Sequence, residues 1–192
     1  MSDIVYRMLV RLAFLIALFV IAWSIYHGAL QEKIPGENDY HAANKYFEDG
    51  KYQQALLSYK KTLSINPDFI HAKRGIARSL MQLNQNEMSL AVFNEVIKQE
   101  PTFAASYANR GILYDRMEKY AKAINDYQTA IKLNKELVEG PSWITRFLRN
   151  QAEKPPNIHD RMIYLQQELA KPKHEQLLKL PQLDDQQKPY KS

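Results

Sequence analysis

The fold of this chain is decided by a stretch that repeats itself. Residues 67–100 read PDFIHAKRGIARSLMQLNQNEMSLAVFNEVIKQE, and residues 101–134 read PTFAASYANRGILYDRMEKYAKAINDYQTAIKLN. Both begin with a proline, and the two prolines lie 34 positions apart (101 − 67). Five columns of matched residues recur at that offset between Asp39 and Lys135: Ala55/Ser89/Ala123, Tyr59/Phe93/Tyr127, Thr62/Val96/Ala130, Tyr46/Leu80/Tyr114 and Ala43/Ala77/Gly111. A fixed period of this length indicates a repeat architecture.

The spacing inside each unit indicates helices. Apolar residues fall three and four positions apart, which places them on one face of a helix. Each unit breaks once, at 49–51, 83–86 and 117–119, and the Gly or Asn in the first two breaks suits a tight turn between helices. A single hairpin cannot bury such a face alone. The sequence therefore predicts an all-α solenoid of three stacked helical hairpins.

The pattern resembles that of the tetratricopeptide repeat family. The family places a large residue, Leu-Gly, Tyr, Ala, Phe, Ala and Pro in that order. The third unit matches best, as Tyr107, Arg110-Gly111, Tyr114, Ala123, Tyr127 and Ala130, with Lys135 in place of the proline. Asp39 and Lys73 stand at the large position of the first two units. The resemblance implies repeats at about 36–69, 70–103 and 104–137, and the alternative is an unrelated helical bundle with coincidental spacing.

The N-terminal region predicts a membrane-spanning helix. Residues 12–30 read LAFLIALFVIAWSIYHGAL, and 20 positions between Arg11 and Glu32 carry no formal charge (32 − 11 − 1). At about 1.5 Å per residue the stretch reaches about 28 Å, enough to cross a bilayer. A buried core helix is one alternative. A cleaved signal peptide is another, although Ala22-Trp23-Ser24 makes a poor cleavage site.

Flanking charge indicates the orientation of this helix. Arg7 and Arg11 precede it, whereas Glu32, Lys33, Glu37 and Asp39 follow it. The positive-inside rule then keeps residues 1–11 in the cytoplasm and sends the repeats across. The expected location is the bacterial inner membrane, with the repeats in the periplasm. A short linker, residues 31–38, would hold the repeats near the membrane surface.

The region after the third repeat, residues 138–170, predicts two capping helices. Gly140-Pro141 breaks the chain before a helix at about 142–150, and Asn157 can cap a second helix with Ile158, Met162, Leu165 and Leu169 on one face. A solenoid needs such a cap. The alternative is a docking site for a partner, anchored by Trp143 and Phe147. Residues 171–192 are mostly polar and predict a flexible, solvated tail. The alternative within it is one helical turn of Leu177, Leu178 and Leu180 packed against the domain.

No pattern in the sequence supports catalysis. The chain has no cysteine, its six glycines are scattered, and its five histidines never pair at metal-binding spacing. We therefore expect no catalytic residue, no metal and no cofactor. The net charge of +5 is diffuse, the largest block being +3 in residues 102–135 (six cations minus three anions), which argues against nucleic-acid binding.

The resemblance also implies a binding surface. In tetratricopeptide folds the first helix of each hairpin lines a concave face. On this chain that groove would comprise Tyr40, Asn44, Phe47, His71, Arg74, Arg78, Met81, Gln82, Asn109, Asp115 and Arg116. Arginines there suit a peptide carrying a carboxylate, because a guanidinium offers two parallel donors. The alternative is that these arginines are only a solvated helix face.

One branch of the family binds the C-terminal Glu-Glu-Val-Asp of heat-shock chaperones through basic and Asn side chains. At the matching positions this chain has Tyr40, Asn44, Gly75, Ala105 and Asn109, and only Asn44 agrees. The clamp residues of that branch are therefore largely absent.

The sequence predicts a non-enzymatic, membrane-anchored adaptor or scaffold whose groove, centred on the middle repeat, binds a peptide or protein partner. It would assist assembly of an envelope or membrane complex. The alternative is a cytosol-facing targeting receptor for exported or imported proteins. A hydrolase regulator with its own activity finds no supporting residue.

Overall fold

The computed structural model describes residues 3–30, 34–135, 137, 157–180 and 189–190, and these residues contain no β-strand. The prediction of an all-α fold is confirmed. The helices, numbered in chain order, are α1 (Asp3–Leu30), α2 (Glu37–Glu48), α3 (Tyr52–Ile65), α4 (Ile70–Gln82), α5 (Asn86–Gln99), α6 (Ala104–Arg116), α7 (Tyr120–Leu133) and α8 (Ile158–Leu169). A 3₁₀ turn follows at Lys173–Glu175.

The turn inside each hairpin has the same left-handed residue. Gly50, Asn84 and Glu118 have φ angles of 73°, 58° and 60°, and they lie 34 positions apart (84 − 50, 118 − 84). The N–H of the residue that follows each of them donates to a backbone carbonyl five positions earlier. The acceptors are Tyr46, Leu80 and Tyr114, at 2.8, 2.9 and 2.8 Å. This bond closes a Schellman-type helix end, which satisfies a carbonyl that the helix leaves free.

The junctions between hairpins are also equivalent. Asn66, Glu100 and Asn134 end α3, α5 and α7 in extended geometry, with φ of −134°, −130° and −144°. Proline follows only the first two. The third helix ends in the same way before Lys135, so this helix end forms without a following proline.

The repeated columns form the core. Tyr59, Phe93 and Tyr127 are fully buried, as are the small residues Ala43 and Ala77. One apolar cluster joins α2, α3 and α4, and a second joins α4 to α7 and continues into α8. The stacked hairpins therefore share a continuous interior, as a solenoid requires.

Helix α1 is long and apolar enough to span a membrane. Its qualifying stretch, Asp3–Tyr26, has 24 residues with a mean hydropathy of 2.4, and none of it is buried. The stretch begins nine residues before the predicted start at Leu12 (12 − 3). A signal sequence has the same length and composition, so the spanning role stays a proposal.

Helix α8 packs on α7. Ile158 and Leu165 are buried in the second core cluster. The Asn157 side chain accepts the N–H groups of His159 and Asp160 at 2.9 and 3.0 Å, which confirms the predicted cap. The other predicted capping helix, 142–150 with Trp143 and Phe147, lies outside the described residues.

Candidate partner-binding groove

The eleven predicted groove residues all lie on α2, α4 and α6, the first helices of the three hairpins. Their exposure differs widely. His71 is exposed, and five others are half-buried: Tyr40, Asn44, Phe47, Gln82 and Arg116. The remaining five are buried: Arg74, Arg78, Met81, Asn109 and Asp115. The expectation that all eleven side chains point outward to a ligand is not met for these five.

An aromatic cluster forms the first-repeat end of the groove. The ring of Tyr40 lies 5.1 Å from that of Phe69, 6.0 Å from that of Tyr59 and 6.2 Å from that of His71. The Tyr59 hydroxyl donates to Asn44 Oδ1 at 2.6 Å, and burial raises the pKa of Tyr59 to about 12. The amide oxygen of Asn44 is therefore already engaged within the protein.

Arg74 is held inside the groove wall. Only 3% of it is exposed, and its guanidinium stacks 3.6 Å from the centre of the Phe103 ring. It also forms an ion pair with Glu100, at the junction before the third repeat. Burial lowers the pKa of both Arg74 and neighbouring His71. The sequence prediction that Arg74 reaches a ligand overlooked this contact, because Glu100 and Phe103 belong to the next junction.

Arg78 and Met81 likewise face neighbouring helices. The Arg78 guanidinium lies 5.0 Å from the centre of the Phe47 ring, and 4% of the residue is exposed. Met81 is fully buried in the second core cluster. Neither side chain is freely accessible, and Arg78 is the one of the two that carries positive charge.

In the third repeat, the groove residues bind the C-terminal part of the chain. Asp115 receives two hydrogen bonds from the Arg161 guanidinium on α8, at 2.7 and 2.9 Å, and one from the Tyr127 hydroxyl at 3.3 Å. The Asn109 side chain donates to the Tyr190 carbonyl at 3.0 Å and accepts the Tyr190 N–H at 2.7 Å. The α6 section of the groove is thus occupied in the folded chain.

Gln82 and Arg116 meet where the second and third repeats adjoin. The Arg116 guanidinium donates to the Met81 carbonyl and to Gln82 Oε1, both at 3.4 Å. Both side chains are half-buried. The structure therefore brings together two predicted residues that are 34 positions apart in sequence.

Tyr190 contacts the third-repeat groove, and sequence reasoning did not include it there. It was assigned to a solvated tail, yet it packs against the second core cluster. The sequence signal that could have found it is the presence of an aromatic residue, Tyr190, in an otherwise polar stretch. Leu178 of the same region also contacts this cluster, as the alternative for Leu177, Leu178 and Leu180 anticipated, whereas Tyr190 was expected in solvent.

Family models and known proteins agree with the geometry. Two models, each described as tetratricopeptide repeat, match residues 46–109 and 104–137. Hsp70-Hsp90 organizing protein 3 of Arabidopsis thaliana is 26% identical over 107 residues, which is 54% of this chain and 19% of that protein. DnaJ homolog subfamily C member 3 of Gallus gallus is 28% identical over 93 residues, which is 46% of this chain and 18% of that protein. The chain thus spans about a fifth of the length of these relatives.

Solved structures with the same fold belong to several proteins. The first tetratricopeptide domain of Spaghetti bound to the HSP90 peptide SRMEEVD has a TM-score of 0.56 at 18% identity, covering 71% of this chain and 94% of that one. MamA from Desulfovibrio magneticus RS-1 has a TM-score of 0.51 at 22% identity, covering 71% and 78%. At such identities the likeness concerns the fold. Over residues 46–137, the chain therefore matches the tetratricopeptide repeat family.

Proposed function

We propose that this chain is a non-enzymatic adaptor that binds a protein or peptide partner in the groove lined by α2, α4 and α6. The observation that carries the proposal is the stack of three hairpins, whose first helices present aromatic, amide and guanidinium groups on one side. Tetratricopeptide relatives with this architecture include one bound to a chaperone peptide. That precedent supports a peptide partner, although the chaperone clamp residues are largely absent here.

The accessible part of the groove lies in the first two repeats. His71 is exposed, and Tyr40, Phe47 and Gln82 are half-buried. Aromatic surface of this kind supports binding of apolar side chains, whereas Gln82 can pair with a peptide backbone. Arg78 below them contributes positive charge, which favours a partner with acidic residues. The charge of Arg74 is neutralised by Glu100, and its guanidinium contacts His71 and Phe103. Its proposed role is therefore to position these two side chains.

The proposed location of the adaptor is argued from α1. We propose that α1 anchors the protein in a bacterial inner membrane and that the repeats lie in the periplasm, where they assist assembly of an envelope or membrane complex. Its 24-residue stretch Asp3–Tyr26, with a mean hydropathy of 2.4, and Arg7 and Arg11 near its N-terminal end support this arrangement. The second candidate, a cytosol-facing receptor for exported or imported proteins, has the same groove and the opposite orientation.

Site-specific crosslinking tests the groove. A photoreactive amino acid replaces His71 in the full-length chain, and a second version carries it in place of Met88, which is 53% exposed on α5. After illumination in cells, we expect a covalent partner adduct from the His71 position and none from the Met88 position. Adducts of equal yield from both positions, or none from His71, would contradict binding in the groove.

A further inference from the structure

The described end of the chain binds the groove of the third repeat as a peptide would. Asn109 pairs with both backbone groups of one residue, donating to the Tyr190 carbonyl at 3.0 Å and accepting its N–H at 2.7 Å. These two bonds involve only main-chain atoms of the occupant. A side-chain amide in this position therefore recognises a chain segment whatever its sequence, in the way that a sheet edge does.

The Tyr190 side chain supplies the sequence-dependent part of the contact. Its ring is half-buried against the second core cluster, to which Ile158 and Leu178 also belong. The Tyr190 hydroxyl lies 3.4 Å from the Ile158 N–H, at the first turn of α8. Burial raises the pKa of the Tyr190 hydroxyl above its ordinary value. The site is therefore an apolar pocket that accepts an aromatic ring, next to an amide that holds the backbone.

Residues shortly before this end of the chain also contact the folded domain near the site. Arg161 donates to the Leu178 carbonyl at 2.9 Å, and Lys179 forms an ion pair with Glu118 at 2.6 Å. Between Leu180 and Tyr190 the sequence PQLDDQQKP offers one large apolar residue, Leu183. Among the residues that the structure describes here, Tyr190 is the one that contacts Asn109. A competing segment displaces Tyr190 when its concentration or affinity outweighs the effective concentration of the tethered residue.

We propose that Asn109 and the adjoining apolar pocket form a peptide-binding site for an extended segment with an aromatic side chain, and that Tyr190 occupies this site as a built-in competitor. The inference rests on the proposed function, because it places a second recognition point in the same groove. A partner that enters the third repeat displaces Tyr190. A partner confined to the first two repeats leaves Tyr190 in place.

The test uses the full-length chain in detergent micelles and a fluorescent peptide with its own sequence QQKPYKS, residues 186–192. In Tyr190→Ala the internal competitor loses its ring, so we expect the peptide to bind at least about tenfold more tightly than to the wild type. Tyr190→Phe is the matched control, since it keeps the ring and both backbone bonds, and it should behave as the wild type. Adding Asn109→Ala to Tyr190→Ala should abolish the gain.

Equal affinity for the wild type and Tyr190→Ala, or a gain that survives Asn109→Ala, would overturn the proposal. A second measurement keeps the test decisive if a variant folds poorly. Excess QQKPYKS peptide added to the wild-type chain should shift the Asn109 side-chain amide signals in an NMR spectrum, whereas the peptide QQKPAKS should not. An Asn109–Tyr190 contact that forms only at high protein concentration would mean exchange between two copies, and it too would overturn occupation within one chain.

The crosslinking experiment separates this proposal from the function it rests on. If partner adducts form at the His71 position while the peptide fails to distinguish Tyr190→Ala from the wild type, the adaptor function stands and the competitor is rejected. If the peptide shows the expected gain and no adduct forms at His71, the third-repeat site stands and the wider groove is rejected.

Discussion

At the scale of single residues, the solenoid depends on close contacts between small residues and buried rings. A Cβ atom added to Gly75 would lie 2.4 Å from Cε1 and Cζ of Tyr59, and one added to Gly111 would lie 2.6 Å from Cδ1 of Tyr127. Both rings are fully buried, and the Tyr59 hydroxyl is held by Asn44. Neither ring can move aside easily, because the interior around it is close-packed.

Gly75→Ala is therefore expected to lower the free energy of unfolding by about 1–3 kcal/mol, the usual cost of overpacking a core. Thermal unfolding of the full-length chain, followed by circular dichroism, measures the change. Gly50→Asn is the control. A side chain at Gly50 meets no atom within 4 Å, and Asn84 adopts the same left-handed geometry in the second hairpin, so this substitution should change stability by less than about 0.5 kcal/mol. Equal melting temperatures for the wild type and Gly75→Ala would contradict the close contact.

At the scale of elements, α8 is attached to the solenoid by a buried ion pair as well as by apolar packing. Arg161 and Asp115 are both buried, and the guanidinium makes two parallel hydrogen bonds to the carboxylate. Such a pair adds little net stability compared with an apolar contact, but losing one partner leaves the other charge buried and unpaired. The pair therefore sets where α8 docks.

Arg161→Met should destabilise the docked position of α8 by about 3 kcal/mol. Hydrogen exchange of residues 158–169 should then accelerate by about a hundredfold, while α3 and α4 remain protected. Lys119→Met is the matched control, because the Lys119–Glu87 pair is 3.7 Å long and exposed. Its loss should cost less than about 1 kcal/mol. Unchanged exchange in α8 after Arg161→Met would show that apolar packing alone holds the helix.

At the scale of the whole molecule, the prediction to test is the side of the membrane on which the repeats lie. The orientation proposed above depends on Arg7 and Arg11 near the N-terminal end of α1 and on the acidic residues after it. Because the chain contains no cysteine, a single introduced cysteine reports its own location without background.

Lys98→Cys, on the exposed face of α5, is expected to react with a membrane-impermeant maleimide in intact bacterial spheroplasts. Ser2→Cys, which precedes α1, should react only after the membrane is permeabilised. The measurement is the labelled fraction of each variant. The reverse pattern would place the repeats in the cytosol and favour the targeting receptor, and a Ser2→Cys product shortened at its N-terminus would indicate a cleaved signal sequence.

The sequence alone determined the all-α fold, the period and the helical hairpins, because each follows from interactions within about 34 residues. Columns such as Tyr59, Phe93 and Tyr127 report helix faces directly, and left-handed turn positions favour residues such as Gly50 and Asn84. The sequence also assigned the predicted groove residues correctly to the first helices of the three hairpins, α2, α4 and α6.

Only the tertiary structure decided which groove residues are accessible. Arg74 is covered by Glu100 and Phe103 from the next junction, and Asn109 is paired with Tyr190, which lies 81 positions later. Periodicity describes the direction of a side chain relative to its own helix, and it contains no information about groups that arrive from distant parts of the chain. Exposure depends on those groups, because a side chain leaves water only when another part of the protein replaces it.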